Sequence, residues 1–319
     1  MTERIVYLSG SFVPESEAKV SVLDSGFRSG DGVYDATRTF DHKLFKLREH
    51  VERLYRSLTY TRIDCGLSLD EMERLSIEVV ERNLAILGDD DEYTLWQVIS
   101  RGVPAAAGYA NGSGATVSIF CVPVDFTRFA RNYLEGVELV TPSTRRIPPQ
   151  CLEAKAKITN KMNHMVAAFE ARSVNPKAVP LMLDIDGNVA ETLITNFFFV
   201  SGGRVCTPTN KNVLGGITRS NVLSLTSKMG IELVEGDFTP YDVYNADEAF
   251  LTGTSGSIEP VRDLNGVAIG DAIPGPITER LMREWNELVG IDVVAQALRH
   301  LADEDRERLL SRWENSEAA

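Results

Sequence analysis

Cysteine is scarce in this chain, and the few residues present do not cluster. Cys65, Cys121, Cys151 and Cys206 are widely scattered and form no C-x-x-C pair. That spacing offers neither a zinc site nor a disulfide framework, and it fits a reducing, cytoplasmic setting. Long apolar runs are missing too. No stretch approaches the roughly 20 apolar residues that cross a bilayer. The opening MTERIVYLSG lacks the basic segment and apolar run of an export signal, so neither secretion nor membrane insertion is expected. Positive charge is in deficit: 33 lysines and arginines stand against 46 aspartates and glutamates, a net charge of −13. Nucleic acid and anionic membranes are therefore poor partners. Internal repeats and low-complexity tracts are absent as well.

What is present is enough for a sizeable enzyme. At 319 residues, 43% of them hydrophobic, the chain exceeds one ordinary core, and two domains sharing a cleft are expected. Residues 1–122 read as a small α+β domain, 123–134 as an interdomain linker, and 135–319 as a larger domain ending in helices. Strands are expected at Arg4–Leu8, near Lys19–Leu23, over 33–40, near Thr94–Ser100 and near Ala115–Val122. In VYDATRTF the alternation puts Tyr34, Ala36 and Arg38 on one face, an aromatic beside a cation. Ser68 and Glu71 form a capping-box pattern for a helix through about Leu87. In the second half a strand is expected at Val137–Thr141 and a helix from Thr159 to Arg172, with Lys157 at its entrance. Asp186–Gly187 and Gly202–Gly203 read as hairpin turns. Thr218 opens a helix that Gly230 ends. The chain from Pro276 onward reads as helical, with Leu298, Leu301, Leu309, Leu310 and Trp313 forming an apolar stripe that packs on the body or a partner.

The chemistry lies in an ordered set. Lys157 is followed 34 positions later (191 − 157) by Glu191, then by GGIT at 215–218 and GTSG at 253–256. A lysine can supply a Schiff-base nitrogen, a carboxylate can keep a pyridine nitrogen protonated, and glycine turns let backbone N–H groups approach a phosphate. In that order they describe a pyridoxal phosphate site. Lys157 would hold the cofactor and then shuttle a proton once released. Ile217 and Thr218 open a helix whose dipole favours an anion. Thr254 adds a hydroxyl, and Arg53 a forked positive charge. Taken singly each element is ordinary: Lys155, Lys157 and Lys161 also read as an exposed basic cluster, and glycine pairs as plain turns.

GDGVYDATRTF, F-x-L-x-x-H-x-x-R-L from Phe45 to Leu54, KITN, ETLITNF, LGGITR and LTGTSGSIEPV follow one another along most of the chain. In this the sequence resembles the class IV, fold-type IV pyridoxal phosphate aminotransferases, which include branched-chain, D-amino acid and (R)-amine transaminases and aminodeoxychorismate lyase. The resemblance implies a two-domain α+β enzyme with a small N-terminal domain and a larger, β-barrel-like C-terminal domain. It implies a homodimer whose cofactor lies between domains and is closed in by the partner. Lys157 is implied as the Schiff-base lysine, with Lys161 the runner-up. Arg53, Ile217, Thr218 and Thr254 are implied on phosphate, Glu191 at the pyridine nitrogen, Leu214 against the ring and Tyr34 on the substrate side.

Departures from the family pattern bear on specificity. Tyr93-Thr94-Leu95 lacks the arginine of the bacterial branched-chain Tyr-x-Arg, Thr192 replaces the usual glycine, and SRGVPAAAGY lacks the arginine and histidine of typical D-amino acid enzymes. Arg28, Arg38 and Arg101 remain to hold a substrate carboxylate. Arg28 is preferred, because some atypical D-amino acid transaminases have an arginine there that reaches the neighbouring subunit's site. The small apolar VPAAAG loop would also admit an amine without a carboxylate. The expected activity is transfer of an amino group from an amino acid or amine to a 2-oxo acid such as pyruvate or 2-oxoglutarate. The alternatives are elimination of the aminodeoxychorismate lyase type and a non-enzymatic phosphate-binding protein.

Overall fold

Two sheets, each with its own core, organise a computed structural model that describes residues 3–105 and 114–317, with side chains described through residue 310. The chain divides into one unit of Met1–Val124 with Ala156–Lys161 and a second of Asp125–Lys155 with Met162–Ala319.

The first unit runs β1 (Ile5–Leu8), β2 (Ser11–Pro14), α1 (Ser25–Ser29), β3 (Gly32–Phe40), β4 (Lys43–Leu44), α2 (Leu47–Thr61), α3 (Leu69–Asn83), β5 (Tyr93–Ser100) and β6 (Thr116–Pro123). Its sheet has the order β2-β1-β6-β5-β3-β4, antiparallel throughout. Leu47, Val51, Leu54 and Leu58 recur at helical spacing and are buried, which turns α2 toward the sheet. They join Val33, Leu95, Ile99 and Ile119 of the strands and Met72, Leu75 and Val79 of α3 in one core. The expected capping box starts α3: the Glu71 N–H donates to Ser68 Oγ (3.2 Å) and the Ser68 N–H to Glu71 Oε2 (2.8 Å). The α-helix gives way at Leu84 to a short 3-10 turn, three residues before the expected end.

The second unit runs α4 (Phe126–Glu135), β7 (Val137–Val140), α5 (Met162–Val174), β8 (Val179–Pro180), β9 (Asn196–Ser201), β10 (Arg204–Pro208), α6 (Ile217–Lys228), β11 (Leu233–Gly236), α7 (Pro240–Tyr244), β12 (Glu248–Gly253), β13 (Ser257–Leu264), β14 (Val267–Ala268), α8 (Pro276–Val289), α9 (Val293–Arg299) and α10 (Asp303–Glu317). The strands form the order β11-β10-β9-β12-β13-β7-β8, with β14 beside β13. Pairing is parallel for β10–β11, β7–β13 and β7–β8 and antiparallel elsewhere. Among the described residues β11 and β8 do not pair with each other, so this sheet stays open and does not close into a barrel. Phe197, Phe199, Leu251, Val261 and Leu139 fill its core.

Several elements differ from expectation, each for a local reason. No strand forms at Lys19–Leu23; Val22 is 71% exposed there, so the alternating residues find no face to bury, and β2 is the strand that pairs with β1. The stretch 123–134, expected as a linker, is mostly α4, whose Phe126, Phe129, Ala130 and Tyr133 are buried on one side. Asp186–Gly187 does turn the chain, but among the described residues it is flanked by the isolated bridge Leu183↔Val189 and not by paired strands. The helix expected from Thr159 begins at Met162, because the preceding backbone is already bonded to β3. Tyr34 N–H donates to the Lys157 carbonyl (2.9 Å), Thr159 N–H donates to the Gly32 carbonyl (2.9 Å), and Val33 bridges Ile158. Leu301 and Leu309 of the C-terminal segment are buried in the second unit, where α9 and α10 pack on α4. The side chain of Trp313 and the Ala106–Tyr109 part of the VPAAAGY loop lie outside the described residues.

Candidate active site

In the first unit the site is built around β3. Tyr34 is buried and stacks on Trp96 of β5, centroids 5.5 Å apart. Trp96 in turn lies parallel to Phe120 of β6. The Lys157 Nζ sits 4.5 Å from the Tyr34 ring centroid, against 5.8 Å for Lys161. Lys157 is thus the closer lysine, and its backbone is fixed at both ends: its N–H donates to Ser57 Oγ (3.0 Å) and its carbonyl accepts from Tyr34.

Strand alternation sends Asp35 to the helix-covered face, opposite Tyr34. There it meets α2. Arg53 Nε and Nη2 donate to the two Asp35 oxygens (2.8 and 2.7 Å), and His50 Nδ1 lies 2.8 Å from Asp35 Oδ1. All three side chains are buried. Burial alone would raise the Asp35 pKa, but the Arg53 charge and the His50 bond outweigh it and hold the carboxyl well below the usual range. Burial likewise lowers the His50 pKa, against the pull of Asp35. Arg53, expected on phosphate, is therefore forked onto a carboxylate within its own unit.

The candidate carboxylate-binding arginines separate clearly. Arg101 places its guanidinium on Asp31 (2.7 and 3.0 Å) and on the Arg62 and Thr61 carbonyls, an arrangement that ties down the chain after β5. Arg38 is buried, with its guanidinium 4.5 Å from the Phe40 ring centroid. It shares the Tyr34 face but lies four residues along the strand, roughly 13 Å away at about 3.3 Å per residue. Arg28 is exposed on α1 and has no ion-pair partner among the described residues.

In the second unit Glu191 lies between the turn after β8 and the start of β9, buried and bridged to Asn196. Arg146 Nε donates to Glu191 Oε1 (3.1 Å), and the Leu214 N–H donates to Oε2 (2.9 Å). Asn196 Nδ2 spans Glu191 Oε2 (3.4 Å) and the Leu214 carbonyl (2.9 Å). Arg146 was not foreseen from sequence, nor were Asp35, His50 and Asn196 assigned roles there. The loop bearing Arg146 is itself anchored by Glu170 of α5, which accepts from the N–H groups of Ser143 and Thr144.

Leu214 leads directly into Gly215, Gly216 and the start of α6 at Ile217. No side chain caps that helix, so the N–H groups of Ile217 and Thr218 form an anion-ready terminus. A Cβ at Gly216 would collide with the Asn196 amide, so only glycine lets the chain pass this close. Thr254 sits in the turn between β12 and β13, which Tyr133 braces by donating its hydroxyl to the Gly256 carbonyl (2.9 Å).

The chain matches the family described as Amino-transferase class IV over residues 32–264, and it belongs to that family. In structure it is similar to the branched-chain aminotransferase of Thermoproteus uzoniensis solved with norvaline, at 31% identity and a TM-score of 0.81, covering 90% of this chain and 95% of that one. The branched-chain amino acid aminotransferase of Thermobaculum terrenum, solved in its PLP-bound holo form, gives 25% identity and a TM-score of 0.79, covering 90% and 94%. The D-alanine aminotransferase of Bacillus licheniformis is 29% identical over 277 residues, 86% of this chain and 94% of that protein. The protein is thus a class IV aminotransferase, an α+β enzyme with two sheets.

Proposed function

We propose that this aminotransferase works with pyridoxal phosphate held covalently at Lys157 and moves an amino group from an amino acid or amine to a 2-oxo acid such as pyruvate or 2-oxoglutarate. One observation carries the reading: a single short segment, Leu214–Thr218, touches the buried Glu191 carboxylate at one end and opens an uncapped helix at the other. A pyridine nitrogen and a phosphate are the two ends of one cofactor, and these are the groups that suit them. When bound, pyridoxal phosphate stores the amino group between half-reactions and takes up the electrons of the broken C–H bond.

The protein's own residues divide the remaining work. Lys157 Nζ holds the cofactor and, once released, carries a proton at the reacting carbon. Glu191, kept in place by Arg146 and Asn196, faces the ring nitrogen, and Leu214 lies against the ring. Ile217, Thr218 and Thr254 bind phosphate, and Arg53 supplies positive charge. Tyr34 lines the substrate side. Arg28 holds a substrate carboxylate from the neighbouring subunit of a homodimer; its exposure and lack of an ion partner among the described residues support this role, as do the exposed Val22, Leu23 and Phe27 nearby. Arg38 is the second choice for the substrate carboxylate. The free thiols suit a cytoplasmic enzyme. Branched-chain L-amino acids, D-amino acids and (R)-amines are the donor classes.

The test is to add pyridoxal phosphate to the purified protein, reduce with borohydride and map the labelled peptide. The label is expected on Lys157; a label elsewhere, or none, overturns the assignment. Half-reactions with L-leucine, D-alanine and (R)-1-phenylethylamine, read by cofactor absorbance, then identify the donor class.

A further inference from the structure

In the second unit α4 lies over a cavity of about 490 Å³ near the starts of β7 and β8. None of Glu191, Leu214, Ile217, Thr218 and Thr254 lines it. Its size falls within the range of small-molecule pockets, about 300–1,000 Å³. Four cations line it, Arg128 and Arg131 of α4, Lys177 ahead of β8 and Arg262 of β13, together with the carboxylates Glu135 and Glu138. Arg131 is paired with Asp305, and Arg262 with Glu138 and Asp263. Arg128 and Lys177 have no ion-pair partner among the described residues.

Below them lies Glu259, only 5% exposed. Its Oε2 accepts from Asn132 Nδ2 (2.5 Å), while its Oε1 has no hydrogen-bond partner among the described residues. Burial pushes the Glu259 carboxyl above the ordinary carboxylate range, against the Asn132 bond and the charge of Arg128. When protonated, such a carboxyl donates a hydrogen bond instead of competing as an anion. The cavity therefore offers two cations outside any ion pair among the described residues, together with a buried carboxyl that has one oxygen without a hydrogen-bond partner.

We propose that this cavity is a second ligand site, which takes a small organic carboxylate on Arg128 and Lys177 with a further hydrogen bond to Glu259. Thr192, Ile194 and Thr195 also line the cavity, in the loop that begins one residue after Glu191. A carboxylate bound there rests against the segment that carries Glu191, which gives the site a route to the rate of transamination.

Titration calorimetry of the full-length protein with succinate, with inorganic phosphate, and with chloride at matched ionic strength tests the assignment without requiring turnover. Its outcome is thus independent of the cofactor reading. Succinate is expected to bind saturably at one site per chain. Arg128→Ala combined with Lys177→Ala should weaken it at least about tenfold, with the melting temperature in the absence of succinate unchanged. Glu259→Gln, which keeps a donor, should retain binding that Glu259→Ala loses. Saturation by phosphate alone, no saturation at millimolar succinate, or equal binding by the double variant would each overturn the proposal.

Discussion

Arg146 is the residue the sequence hid best, although Glu191 was plain. Glu191 sits in an ordered motif, whereas its counter-charge comes from 45 positions upstream, in a proline-bearing loop with no periodicity of its own. Such a pairing exists only once the second sheet has formed. Removing one partner of a buried pair leaves the other charge uncompensated, so Arg146→Leu should lower stability by about 3–5 kcal/mol. A melt of the protein without added cofactor checks this, and Arg146→Lys should recover part of the loss. The same logic applies to Asp35, whose partners on α2 lie 15 and 18 positions away. Its pKa is lowered in the folded state, so the stabilisation is complete above the unfolded value of roughly 3.9 and fades as pH falls through the lower folded value. Asp35→Asn should therefore cost about 3–5 kcal/mol at neutral pH, and its gap in Tm from the parent should close only below about pH 4.

Elements with strong local signals were legible: α3 through its capping box, β3 through its alternation, and α6 through its glycines and its end at Gly230. Those that failed depended on distant partners. Residues 157–159 look like the approach to a helix until β3 takes up their backbone groups, and α4 hides its buried face behind a polar composition. The start of α6 is the element most exposed to a single change. Gly216→Val would push against the Asn196 amide, which bonds both Glu191 and the Leu214 carbonyl. Cofactor affinity should fall at least about tenfold, equivalent to about 1.4 kcal/mol, while α6 itself persists. An absorbance titration with pyridoxal phosphate measures the first effect and circular dichroism the second.

At the scale of the whole molecule, the chain forms two compact units, and nothing in the sequence assigns residues 156–161 to the first. These six residues lie within the span of the second unit in sequence and yet belong to the first. A fragment of residues 1–124 should therefore melt lower than the same fragment supplied with a synthetic peptide of residues 153–164. Equal melting would show that the Val33↔Ile158 bridge and the Thr159 bonds add nothing.

Synthesis from the N-terminus gives this arrangement an order in time. When Val124 leaves the ribosome, the first body still lacks the stretch that pairs with β3, and residues 125–155 must emerge before it arrives. The N-terminal body therefore waits, incomplete, while the opening part of its successor is already outside. The stretch that ends that wait also carries Lys157, the lysine proposed above to hold the cofactor.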